Sequence, residues 1–309
     1  MTADILKGLY GVTIPRSYGG EELSLPEVVD TFIDLSYQSL SAAAILGSHV
    51  RVAFYLNEFG TEEQKEHYLP KMASSCVVAA HAHTERQSTT ARREEDNFII
   101  NGYKPIVTNA RGANLIAVTT NNHSDIFLID IPSSGLYVEK EIPRLALKGI
   151  SLCPIRLDNC ILSAKALLGG KEGKGLEYLH RSLGYSLVNY AARGVGIAKS
   201  LVDELIENAT ERDTKTLATL EGYVASAEAL TREAARKLEQ NSADQKFSFH
   251  AKWYSAEVAS LVASKVHELI AYHADALSLE QKLVDAQTLK IIGNRSEQVK
   301  EKIDSGILK

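Results

Sequence analysis

The residues best suited to chemistry in this 309-residue chain lie in two short stretches. Residues 81 to 83 read HAH, and on a strand His81 and His83 fall on one face. Two imidazoles so placed could ligate a metal. No Cys, His or carboxylate set in the sequence completes three or four ligands, so packed or hydrogen-bonded histidines are the better reading. Residues 289 to 298 read LKIIGNRSEQ, where Gly293 and Asn294 interrupt two helical segments. The pair suits a helix C-cap turn, and a glycine has no proton acceptor. Glu297, about one helical turn beyond, is read as a solvated surface charge. The three cysteines, Cys76, Cys153 and Cys160, are odd in number and lack CxxC spacing, which argues for reduced thiols rather than a disulfide framework or a zinc site.

Three blocks of different texture must position these residues. In the first, SLPE offers Ser24 as N-cap with Glu27 three residues later, and TEEQ repeats the logic with Thr61 and Gln64. Apolar residues at helical spacing run between and beyond the two, so residues 1–76 are expected to be helical. From Val77 the chain breaks into short β-rich runs, NFIING, NLIAVTT, DIFLIDI, GLYVEKEI and CPIRLDNCIL, punctuated by Gly, Asn and Pro, and 77–168 is expected to be a β domain. After GGKEGKG, helical periodicity persists over 176–211, 215–240, 246–275 and 279–303, which predicts a helical bundle within 169–309. The fold class is α+β, mostly α. With 45% hydrophobic residues the chain can bury a sizeable core. The net charge of -5 and the absence of a Lys/Arg cluster interleaved with aromatics exclude nucleic acid as an expected partner. No apolar run approaches the roughly 18 residues needed to span a bilayer, and the start has no signal-like segment, so a cytoplasmic protein is expected.

Within these blocks GVTIPRSYGGEELSLPEVV, FGTEEQKEHYLPKMAS, HTE at 83–85, NGYKPIVTNA at 101–110 and LLGGKEGKG at 167–175 follow one another in an order that resembles the acyl-CoA dehydrogenase family. The resemblance covers nearly the whole chain, beginning inside that family's N-terminal helical domain. It implies an N-terminal helical domain, a middle β-barrel or sandwich domain and a C-terminal four-helix bundle. It also implies FAD, an acyl thioester substrate, an electron-acceptor flavoprotein and a homodimer or homotetramer whose subunits complete one another's flavin sites. The family's reaction removes a proton α to the thioester carbonyl with a carboxylate, while the flavin takes a hydride from the β carbon.

Carried over residue by residue, the resemblance assigns Thr84 to the flavin pyrimidine edge and Thr108 to the neighbourhood of the flavin N5 and O4. Ile106 stands where an aromatic residue usually covers the ring. The family's T-E-P-x-A-G-S-D becomes TERQSTTA, so Thr89 replaces a glycine near the pyrophosphate, and Thr90 takes the place of the serine hydroxyl. A β-branched residue at a glycine position narrows the available backbone geometries. Residues 208–222 lack the Phe-Gly pair that reaches a neighbouring FAD, leaving Arg212 as the phosphate candidate, and 268–280 lack the Gly-Gly turn near the adenine. Matching VDAQTLKII to the family's last helix places Gly293 at the catalytic glutamate, while Ser186 matches the alternative base position and Asp285 a different family aspartate. The expectation is therefore an acyl-CoA dehydrogenase-like flavoprotein with weakened or lost oxidation of a CH–CH bond. The alternatives are a noncatalytic binding or assembly subunit, or a flavin monooxygenase on the same fold.

Overall fold

A computed structural model describes residues 2–84, 87–208, 214–270, 276–293 and 296–304. Helices α1 (Thr2–Ile5), α2 (Leu25–Gln38), α3 (Leu40–Phe59) and α4 (Glu62–Ala73) come first. Strands β1 (Ala79–Ala82), β2 (Thr90–Glu94), β3 (Asn97–Thr108), β4 (Leu115–Thr120), β5 (Asp125–Asp130), β6 (Leu136–Val138) and β7 (Leu152–Ser163) follow. Helices α5 (Gly175–Asn208), α6 (Thr214–Gln240), α7 (Lys246–Ile270), α8 (Ala276–Thr288) and α9 (Ser296–Asp304) complete the order. The helical, β and helical succession is the one expected.

Both sequence-predicted capping boxes start their helices. Glu27 Oε2 accepts the backbone N–H of Ser24 at 2.8 Å, and Thr61 and Gln64 exchange bonds of 3.1 and 3.2 Å. One expectation needs correction. The periodicity over 279–303 is not one helix, because α8 ends at Thr288 and Gly293, with φ +64, takes the left-handed conformation that stops a helix. Strand β2, TARRE, gave no strand signal because its side chains are almost all polar and exposed; it is an edge strand held by pairing to β3.

The chain divides into two compact units. The first comprises Met1–Leu23, Ala44–Pro143 and Gly149–Ser182. Its β1–β4–β5 sheet joins β1 and β4 in parallel, and its β2–β3–β7–β6 sheet is antiparallel. Ala80, Ala82, Ile116, Val118 and Phe127 from one sheet and Phe98, Ile100, Cys153 and Ile155 from the other share one sandwich core. The alternate residues Ala79, Leu115, Ala117, Ile126 and Leu128 pack instead with Tyr55, Leu56, Leu69 and Met72 of α3 and α4. Strand β4 is thus buried on both faces, which explains its continuous apolar run. The second unit comprises Ser24–Ala43, Arg144–Lys148 and Leu183–Lys309. There Tyr37 donates to Asp203 at 2.7 Å, Arg232 pairs with Asp30, and Asp285 accepts from the Leu147 backbone N–H at 2.7 Å, fastening α8 to the 144–148 segment.

Candidate functional site

In the first unit, β1 ends at Ala82 and carries the chain to His83 and an exposed Thr84. Strand β3 supplies the other ring-facing candidates. Its pairing with β7 is irregular between Lys104 and Val107, where Pro105 interrupts the ladder. Beyond that step Val107 is buried while Ile106, 46% exposed, and the half-buried Thr108 face outward together. A large aliphatic side chain left open on a strand beside a hydroxyl is a surface that a flat apolar ring can cover. The ring end of the expected flavin site therefore fits the residues present.

The phosphate end fits less well. Thr89 is fully buried, and a β-carbon on Gly102 would stand 2.7 Å from the Thr89 Cα, Cγ2 and Oγ1 atoms. The threonine at the family's glycine position thus turns inward onto Gly102, whose own lack of a side chain makes the room. Thr90 is exposed, and its hydroxyl donates to the Asn101 carbonyl at 3.3 Å rather than standing open for a phosphate. The loop is tied to the β4–β5 turn, where Asn121 donates its backbone N–H to Thr89 O at 2.6 Å and Asn122 donates to Ser88 Oγ at 3.0 Å. Arg212, the expected phosphate partner, lies outside the described residues.

His81 and His83 share a face, as the strand spacing predicts, and stack with ring centroids 5.6 Å apart. His123, from the β4–β5 turn, lies 4.3 Å from the His83 ring. Such stacked rings do not converge on a common point, and among the described residues no group of three or more His, Cys, Asp or Glu side chains could hold a metal ion. On the same wall the buried Lys104 donates to Thr119 Oγ1 at 3.1 Å, and Arg51 of α3 donates to His81 Nδ1 at 3.4 Å. Burial, with Arg51, the other two histidines and Lys104 nearby, holds the His81 ring well below the ordinary histidine pKa, so it stays neutral. Arg51 was not singled out in the sequence. Its one signal is that it interrupts the apolar run of α3.

In the second unit, Gly293 ends the turn after α8. A β-carbon built on it would stand 2.5 Å from Tyr190 Cε2 and 2.7 Å from Tyr190 Cγ, closer than any real contact. Tyr190, on α5, thus occupies the direction in which a side chain at 293 would leave the backbone. Its ring is held by Arg193, whose guanidinium carbon lies 4.7 Å from the ring centroid. No pattern in the sequence marks Tyr190, because only the folded approach of α5 to the turn reveals it. The other residues singled out in the sequence lie as follows. Ser186 is a half-buried hydroxyl on α5, Glu297 is exposed on α9, and Asp285 accepts from Leu147 N–H and from Gln281 at 2.7 Å each. Burial raises the Asp285 pKa.

A helical layer, a β-sandwich and a helical bundle in this order make up the architecture of the acyl-CoA dehydrogenase fold. Three family models match in succession: the acyl-CoA dehydrogenase N-terminal domain over residues 5–75, the middle domain over 79–160 and the C-terminal domain over 173–308. The chain belongs to the acyl-CoA dehydrogenase family. It is 29% identical over 289 residues to the mitochondrial short/branched chain specific acyl-CoA dehydrogenase of Bos taurus, covering 85% of this chain and 67% of the relative. It is 30% identical over 257 residues to an acyl-CoA dehydrogenase of Bacillus subtilis (strain 168), covering 77% and 68%. Among solved structures it is similar to the prolyl acyl carrier protein oxidase AnaB, with a TM-score of 0.90, 26% identity and coverage of 99% of this chain and 89% of that one.

Proposed function

We propose that this protein is an FAD- and acyl-thioester-binding member of its family in which oxidation of the CH–CH bond is weakened or lost. The observation that carries the reading is the pairing of Gly293 with Tyr190: the matched base position has no proton acceptor, and an aromatic ring fills the space beside it. Proton removal by a positioned general base contributes about 10²–10⁴-fold to such a reaction. A hydroxyl at Ser186 is a poor substitute without a partner.

Thr84, Ile106 and Thr108 would hold the ring end of FAD, by hydroxyl contact at its edge and apolar cover over its face. When bound, FAD supplies the hydride acceptor for the substrate's β carbon. With Thr90 bonded to its own sheet and Thr89 turned inward, the phosphate end offers few side-chain donors from this loop, and a loosened hold on FAD follows. A noncatalytic binding or assembly subunit is the limit of the same reading, reached when the remaining contacts retain neither cofactor nor turnover.

The test is the absorption spectrum of the protein after incubation with FAD and gel filtration, followed by anaerobic addition of butyryl-CoA. Retained flavin that bleaches at least about 10²-fold more slowly than in a glutamate-bearing family member supports the reading. Prompt bleaching would overturn it.

A further inference from the structure

The outward face of the β2–β3–β7–β6 sheet carries a row of planar side chains that the sandwich core does not use. Tyr103 on β3 and Tyr137 on β6 both lie in register with Arg156 on β7, so the three stand side by side on one face with Arg156 in the middle. Both rings are open to solvent, Tyr103 at 44% and Tyr137 at 49% exposure. The Arg156 guanidinium carbon lies 4.3 Å from the Tyr137 ring centroid. Two carboxylates fix it there, Glu139 at 3.5 Å from Nε and Asp158 at 3.0 Å from Nη1. Tyr103 also stands three residues before Ile106 on the same strand, and both are exposed, so the row continues the surface that fits the flavin ring.

Glu139 and Asp158 balance the charge of Arg156, and what the row then offers is flat π surface. A neutral planar ring stacks on it, whereas an anion placed there meets two carboxylates. A second cation stands beside the row. Arg111 is exposed, donates Nη2 to the Glu139 carbonyl at 3.3 Å and forms no ion pair among the described residues. Glu139 thus touches both arginines, Arg156 through its carboxylate and Arg111 through its backbone oxygen, and only Arg111 keeps its charge for an outside anion. A neutral flat ring joined to an anion is the chemistry of a nucleotide, whose base stacks on aromatic and guanidinium planes and whose phosphate pairs with arginine. One such row with one unpaired arginine suits a single nucleotide rather than a strand.

We propose that Tyr103, Arg156 and Tyr137 form a stacking platform for the adenine of an adenosine diphosphate group whose phosphates pair with Arg111. FAD and coenzyme A thioesters both carry that group, and assigning the platform to either one rests on the reading given under Proposed function. The platform supplies a hold on the nucleotide that the loop of Thr89 and Thr90 does not.

The probe is ADP, titrated into the full chain by calorimetry, with adenosine, FMN, FAD, coenzyme A and pantetheine as comparisons. ADP should bind more tightly than adenosine, and Arg111→Gln should remove that preference while leaving adenosine binding in place. Tyr103→Ala should weaken ADP binding at least about fivefold, the lower end of what one base–aromatic stack contributes. Arg156→Lys, which keeps the charge and loses the plane, should weaken it as well, and Tyr103→Phe, which keeps the ring, should bind as the natural chain does. Unchanged thermal midpoints show that these surface variants fold. Where FAD brings the group, FAD should bind more tightly than FMN and Tyr103→Ala should close the gap; where coenzyme A brings it, the same holds for coenzyme A against pantetheine. ADP binding that falls in Tyr103→Ala, in a protein that binds neither FAD nor coenzyme A, would uphold the platform and sink the flavin and thioester reading instead. Binding of FAD or coenzyme A without binding of ADP, or equal ADP affinity in Tyr103→Ala and Arg156→Lys, would overturn the proposal.

Discussion

At the scale of single residues, the pairing of Gly293 and Tyr190 works in both directions. The glycine is needed twice: its φ of +64 lies where a side chain is strained, and the Tyr190 ring blocks the Cβ direction. Restoring a glutamate there is therefore not a simple reversion. Gly293→Glu should destabilise the protein by about 2–4 kcal/mol, from left-handed backbone strain plus overpacking against the ring. Adding Tyr190→Val should recover the packing part, leaving about 1 kcal/mol. Thermal midpoints of the two variants decide this, and a single variant as stable as the parent would show that the ring moves freely. The glycine at the matched position was legible in the sequence, because Gly293 stands in a matched segment. What fills the space was not, since residues 190 and 293 are joined only by tertiary packing.

At the scale of elements, the helix starts were legible because Ser24–Glu27 and Thr61–Gln64 are local chemistry whose partners lie three residues apart. Strand β2 was not, because an exposed edge strand is specified by its neighbour's pairing rather than by its own pattern. Elements joined by a buried group were equally hidden. His49 of α3 donates from Nε2 to Tyr10 O at 3.1 Å and accepts the Ala79 backbone N–H at Nδ1, 3.2 Å, joining the N-terminal loop, α3 and β1 through one neutral ring. Burial lowers its pKa from 6.5 to about 4. Between those values the unfolded chain binds more protons than the folded one, so stability rises with pH across this window and is lost as pH falls through it. The loss should reach about 3 kcal/mol at its lower end, with His81, lowered in the same direction, adding to it. His49→Gln should flatten the profile between pH 6.5 and 4. Denaturant unfolding at several pH values measures it, and an unchanged slope in the variant would assign the acid sensitivity elsewhere.

At the scale of the whole molecule, the order of blocks was legible because texture changes abruptly at Val77 and again after the glycine-rich segment. Among the described residues no helix is long and apolar enough to cross a membrane. The family resemblance implies that neighbouring subunits complete each flavin site, and a site whose own phosphate loop offers few donors depends the more on such a neighbour. Light scattering of the purified protein should therefore give a mass of two or four chains, and FAD retention should fall as dilution dissociates the assembly. A monodisperse monomer that retains FAD would contradict this. Proton removal is read out by exchange of the α-hydrogens of a saturated acyl-CoA with deuterium in D₂O, catalysed by the FAD-incubated protein. No exchange above the protein-free rate is expected for the natural chain, and a gain is expected for Tyr190→Val/Gly293→Glu. Rapid exchange by the natural chain would mean that another group serves as the base and that Gly293 does not limit the reaction.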